Sequence, residues 1–222
     1  MVRSAGLFAN SGRVGCAINR KIVLPLIVLV IVLLGVGGYF YYQDVYQVNR
    51  NVNAVLDLVD AELYKEAYQE YEDMLLTRTN KSSAKAVKRI NEQLMAEIAA
   101  RVDTYADNAI DYDVARNFIQ QLEPFESLQS ALANNEQRLD RLKKSKDAYA
   151  NANRLKDDKK FKEAVTKYKE VIPEDAANYA AAADRIQLSI KEMYDHVMGN
   201  AERLFAEKYY EEAYKATKSL VS

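Results

Sequence analysis

The 222-residue chain has no tryptophan, one cysteine, one histidine, three prolines and seven glycines. A lone Cys16 excludes an intrachain disulfide and a thiolate metal site. The single histidine, His196, stands in the stretch YDHVMGN with only Glu192 and Asp195 as nearby carboxylates. Metal sites on helices need several converging ligands, so His196 reads as an ordinary helical residue. Beyond Gly38 there is one glycine, Gly199, and there are two prolines, Pro124 and Pro173, too few breakers for a many-turned β fold. Also lacking are a glycine-rich phosphate loop, a nucleophile elbow, a Cys–His pair and an HExxH motif, and the carboxylates are interleaved with Lys and Arg throughout. The sequence predicts neither an enzyme nor a cofactor, and implies no small-molecule substrate.

Charge of one sign is scarce too. Past residue 42 there are 27 Lys or Arg against 32 Asp and Glu, alternating along the chain. That mixture describes solvated helix faces and gives no concentrated basic surface for nucleic acid.

What is present begins with IVLPLIVLVIVLLGVGGYFYY, 21 residues from Ile22 to Tyr42 without a charge. At about 1.5 Å per residue, a helix of that length matches a hydrocarbon layer of roughly 30 Å. A transmembrane helix is therefore expected at 22–42. Arg3, Arg13, Arg20 and Lys21 precede it with no acidic residue, while Asp44 and Arg50 follow. Cationic flanks stay on the cytoplasmic side, so residues 1–21 read as a cytoplasmic tail and 43–222 as an extracytoplasmic domain, by default outside a bacterial inner membrane. Arg20, Lys21, Tyr39, Tyr41 and Tyr42 are expected at the membrane interfaces. Gly35, Gly37 and Gly38 admit a cleaved signal peptide as the competing reading; the length of the apolar run and the aromatic cluster behind it favour an uncleaved signal-anchor. The glycines do not form a clean small-xxx-small face. Cys16, close to the apolar run, admits reversible acylation, an inert thiol being the simpler reading.

Beyond the anchor, apolar residues recur three and four apart, as in Val87, Ile90, Leu94, Ile98, Val102 and Tyr105, or Ala183, Ile186, Ile190, Tyr194, Val197, Ala201 and Leu204. These are stripes of long amphipathic helices in an all-α chain. Four segments answer to one another: ELYKEAYQEYEDML (62–75), IDYDVARNFIQQLE (110–123), KKFKEAVTKYKEVI (159–172) and KYYEEAYKATKSLV (208–221). Their alanines, Ala67, Ala115, Ala164 and Ala213, are 48, 49 and 49 residues apart, and three residues before each stands an aromatic: Tyr64, Tyr112, Phe161 and Tyr210. Such even spacing is an internal repeat.

Each copy reads as a helical hairpin, a long helix and a short one joined by a tight turn. Alanine lies where the backbones cross and the aromatic packs under the turn. Long helices are expected at about 43–61, 82–109, 127–158 and 175–206, and short ones at about 64–77, 113–122, 161–172 and 210–221. The connection TRTNKSS, 77–83, should be the least ordered, and it holds the sequon Asn80-Lys81-Ser82.

The string K-x-F-x-E-A-x-x-x-Y at 159–168 resembles the hairpin of tetratricopeptide (TPR) repeats, which place an aromatic at the turn and a small residue early in the second helix. The period here is longer than the usual 34 or so residues, and the tryptophan of that family's first helix is missing. The resemblance implies a TPR-like α-solenoid that binds proteins. The expectation is a membrane-anchored scaffold or adaptor inside a larger envelope assembly, taking protein partners or a second copy through the solenoid surface and an uncapped final hairpin with apolar Leu220 and Val221. Two other readings remain: an accessory subunit of a protein translocation or transport machine, and a structural spacer or filament-forming protein.

Overall fold

The computed structural model describes residues 20–77 and 81–218, and of 20–24, 43 and 44 the backbone alone. Cys16, most of the 1–21 tail, Asn80 of the sequon, Leu220 and Val221 lie outside the described residues, as do the side chains of Arg20 and Lys21.

Nine α-helices follow in order: α1 (Arg20–Tyr41), α2 (Gln47–Asp60), α3 (Tyr64–Leu76), α4 (Lys81–Ala106), α5 (Tyr112–Gln121), α6 (Gln129–Asp157), α7 (Phe161–Tyr168), α8 (Ala176–Ala206) and α9 (Tyr210–Lys218). No strand occurs among the described residues, so the chain is all-α.

Helix α1 runs through a π-helical turn, Tyr42–Tyr46, directly into α2. Its side chains from Leu26 to Val36 stand exposed on every side, and it packs extensively on nothing but the π turn. Among the described residues no helix is long and apolar enough to cross a membrane. The expected span of 22–42 starts within residues whose side chains are not described.

Beyond the π turn the helices stack in chain order. The long helices form one row, α2 against α4, α4 against α6 and α6 against α8; α3, α5 and α7 each fill the angle between their own long helix and the next. Extensive packing never skips a unit. Amphipathicity dictates this: α4 buries Val87, Ile90, Leu94, Ile98, Val102 and Tyr105 along one stripe, and burying such a stripe is what holds a helix of this length in place.

The core divides in two. The larger cluster runs from Val48 on α2 through Phe125 to Leu142 on α6; the smaller comprises Ala152, Ala164, Tyr168, Val171 and Ala182.

Several boundaries differ from the expected ones. Helix α4 ends at Ala106 instead of 109, where its C-terminal turn closes. Helix α7 ends at Tyr168 instead of 172. The residue before Pro173 is disfavoured in the helical region, and the shortened helix lets Val171 enter the core while the Ile172 N–H reaches the Ser145 hydroxyl at 3.1 Å. The expected α8 stripe splits. Ala183, Ile190 and Tyr194 are exposed, and α8 instead turns Ala182, Ile186 and Ser189 towards the third hairpin and Ala201 towards α9.

Candidate interaction surface

Four tight turns build the surface. Two residues past the end of each long helix stands a residue with a left-handed backbone, Glu62 (φ 60°), Asn108 (φ 61°), Lys159 (φ 60°) and Lys208 (φ 68°). The residue after it donates its N–H back to the carbonyl five positions earlier: Leu63 to Leu58 (2.8 Å), Ala109 to Thr104 (3.0 Å), Lys160 to Leu155 (2.8 Å) and Tyr209 to Leu204 (2.9 Å). This closure satisfies the last carbonyls of the helix and reverses the chain. Three of the turns place the left-handed residue five before the alanine, whereas Asn108 stands seven before Ala115, so the second turn is two residues longer.

Each short helix then starts alike. The alanine N–H bonds the carbonyl four residues earlier, Ala67 to Leu63, Ala115 to Asp111, Ala164 to Lys160 and Ala213 to Tyr209. All four alanines are buried. Ala164 shares its small core with Ala152 of α6, which identifies where two backbones approach too closely for a larger side chain.

Of the aromatics three residues earlier, Tyr112 meets the Tyr105 ring at the end of its own long helix (5.9 Å) and Tyr210 the Phe205 ring of its own (5.1 Å), but Tyr64, Tyr112 and Phe161 also make contacts beyond their own hairpins. They reach forward to the next unit. Tyr64 meets the edge of Phe118 on α5 (ring centroids 6.2 Å), Phe161 meets His196 on α8 (6.2 Å), and the Tyr112 hydroxyl donates to Asp140 on α6 (2.6 Å). Tyr210 has no such forward partner among the described residues; it rests on Phe205 of its own hairpin (5.1 Å) and is exposed.

Tyrosine ionisation registers these contacts. The hydrogen bond to Asp140, then burial, raises the Tyr112 phenol. Burial first raises those of Tyr64 and Tyr168. Tyr105 is pushed up to about 12 by burial, reinforced by Asp147 and Asp175.

A polar knot separates the two core clusters. Asp175 is fully buried; its carboxylate accepts from the Ser145 hydroxyl (3.0 Å) and the Asn178 amide (3.0 and 3.1 Å) and lies 3.7 Å from the Lys146 ammonium. Lys146 also donates to the Ala106 carbonyl (3.0 Å) and to Asn108, and stands over the Tyr105 ring. One lysine thus ties the second turn to the α7–α8 junction. Charges so far from water persist only when paired and hydrogen-bonded, as these are.

Of the residues expected at the membrane, Tyr39, Tyr41 and Tyr42 are exposed, and Tyr42 stacks on Tyr46 at 5.5 Å. The sequence pointed to an uncapped final hairpin through Leu220 and Val221, which lie outside the described residues, but not to the residues that line a groove beside it. Ala201, Phe205, Tyr210, Ala213, Tyr214 and Thr217 line a groove of about 460 Å³ between α8 and α9. The repeat register carries the signal that would have found it, since each groove residue lies 49 positions after a residue of the α6–α7 pair. His196 is exposed, in contact with Phe161 alone among the aromatic rings, and the described residues contain no group of three or more His, Cys, Asp or Glu placed to hold a metal ion.

The comparison with known proteins returns no matching family model, no matching curated protein and no matching solved structure, so the geometry above carries the functional reading.

Proposed function

We propose that the chain is a TPR-like α-solenoid of four hairpins, anchored by a single membrane helix at 22–42 and holding proteins together on the extracytoplasmic face as part of an envelope assembly. Residues 1–21 form the cytoplasmic tail and 43–222 the repeat domain. The observation that carries the reading is the contrast along one continuous helix: α2 is packed into the stack, whereas α1 stands bare with apolar side chains all round. A helix hydrophobic on every side belongs in a large protein core or in lipid, and α1 lies in no core. Tyr39 to Tyr42 at its end suit the headgroup layer.

The scaffold role is supported by the neighbour-only stacking, which yields an extended surface of the kind such arrays use for partners. Burial within the hairpins, Tyr71 and Tyr168 among the most enclosed side chains, speaks for a folded array over a plain spacer.

Alkaline extraction of cells expressing the chain tests the anchor: it should remain in the membrane pellet, and removal of 20–41 should release the repeats. Protease applied from outside should digest the repeat domain, and mild detergent should release it in a complex larger than the single chain. Recovery of the intact chain in the soluble fraction overturns the anchor. A single-chain species in mild detergent overturns the scaffold.

A further inference from the structure

The end of the stack nearest α1 is built unlike its later junctions. Ser82 of α4 donates to Gln47, the first residue of α2 (3.4 Å), the Thr77 hydroxyl after α3 donates to Ser83 (3.4 Å), and Arg89 donates to Asn49 (2.7 Å). The end of α3 and the start of α4 are therefore level with the start of α2, one residue past the exposed Tyr46 that stacks on Tyr42. Leu76, the last residue of α3, is 79% exposed. Helix α4 then opens with Lys81, Lys85, Lys88 and Arg89, all exposed, before its first acidic residue, Glu92.

The later junctions reverse that chemistry. Between α5 and α6, Leu122, Phe125 and Leu128 are buried and the charged residues are Glu123 and Glu126. Between α7 and α8, Val171 is buried, and Glu170, Glu174 and Asp175 outnumber Lys169. The α5–α6 junction also stands further from α1: Ser127 donates to Asn91 (3.0 Å), nine residues and about 14 Å beyond Ser82 along α4.

We propose that the α3–α4 end of the first hairpin rests on the bilayer that holds α1, with its lysines on anionic phospholipid headgroups and Leu76 in the headgroup layer. The inference rests on the anchored reading and adds a second, lipid-selective contact to it. Gln47 lies five residues past Tyr42, about 7 Å along a continuous helix. Headgroups extend about 5–8 Å beyond the hydrocarbon on each side. With Tyr42 at that boundary, the end of α3 and the start of α4 meet them without rearrangement. Lysine suits the position, since its apolar stem can lie along the interface while the ammonium reaches a phosphate. Glu72 and Asp73, the closest carboxylates on α3, stand about one turn further from the bilayer than Leu76. Because α1 already holds this end beside the lipid, individually weak contacts act within one molecule at a high effective concentration.

The chain contains no tryptophan, so a single introduced one reports its own surroundings. Full-length Leu76→Trp and Val114→Trp variants, both at exposed positions, are reconstituted into vesicles of phosphatidylcholine, alone or mixed with phosphatidylglycerol, with brominated phosphatidylcholine as the quencher. Val114 is the control for the far end of the hairpin: it lines a depression with Glu62, fifteen residues and about 22 Å beyond Gln47. In mixed vesicles the Leu76→Trp emission should be quenched and the Val114→Trp emission should not. Adding Lys81→Gln and Lys85→Gln should lower the ratio of lipid-touching to free states about fivefold per lysine, and raised salt should act in the same direction. Circular dichroism verifies that each variant is folded. Equal quenching at both positions, no quenching of Leu76→Trp, or quenching indifferent to the lysines and to phosphatidylglycerol overturns the proposal. So does a blue shift of Leu76→Trp without bromine quenching, which would assign the patch to a protein partner. Alkaline extraction of the same vesicles separates the two readings. A chain that stays in the pellet with Leu76→Trp unquenched overturns this inference and leaves the anchor standing; a chain in the supernatant overturns both.

Discussion

Helices α4 and α8 each open a hairpin, yet they are buried very differently. Helix α4, with 26 residues, buries nine of them, whereas α8, with 31, buries three. Apolar residues are not what α8 lacks, since Leu188, Ile190, Tyr194 and Phe205 all lie on it. Neighbours account for the difference. Helix α4 is enclosed by α2 and α3 before it and by α5 and α6 after it; among the described residues α8 has α6 and α7 on one side and only its own α9 on the other. In a stack where units meet only adjacent units, burial depends on position in the order as much as on composition.

Substitution of matched residues should reproduce this contrast, most strongly in the larger core. Phe125 is fully buried and packs on Tyr68 and Tyr71; Phe125→Ala should cost about 3–5 kcal/mol in urea unfolding, by lost transfer energy and the cavity left behind. Phe205→Ala, at an exposed site, should stay within about 0.5 kcal/mol, and comparable losses would break the comparison.

Next in size is the polar knot. Asp175→Ala leaves Lys146, Ser145 and Asn178 without their carboxylate and should cost about 3 kcal/mol. Hydrogen exchange should show the α7–α8 junction loosening while α2 to α4 keep their protection; a uniform loss across the chain would deny that the knot joins two separable cores.

Smaller again, Ala164→Leu should overpack the α6–α7 crossing by about 1–3 kcal/mol. Ala213→Leu, whose crossing has an open side for relief, should lower the thermal midpoint less. The smallest effect concerns pH. The Tyr105 phenol is raised from 10.0 to about 12, so the fold favours its neutral form. That contribution is fully present below pH 10 and disappears as pH climbs through about 12. Tyr105→Phe should flatten this alkaline decline, followed by phenolate absorbance alongside helicity.

The four alanines made the order of the hairpins legible, because a residue confined by a backbone crossing recurs wherever that crossing does. The turns were harder to place. Their left-handed positions hold Glu62, Asn108, Lys159 and Lys208 instead of the glycine that usually marks such a site. The extra two residues before Ala115 were invisible for the same reason. Periodicity also could not give the heading of Tyr64, Tyr112 and Phe161, since contact with the following unit depends on how hairpins lean on one another. Ser145 and Asp175 looked like ordinary polar helix residues; only stacking brings positions 30 residues apart into one buried pair.

The unbroken passage from α1 through the π turn to α2 has a mechanical consequence. Its 22, 5 and 14 residues form one continuous helical run of roughly 60 Å, with no loop between the first helix and the stack. Whatever grips the first half therefore sets the compass bearing of everything attached to the second. Deleting a single residue near Tyr42 would swing the whole array by about 100° around that axis and aim its open end at a different neighbour.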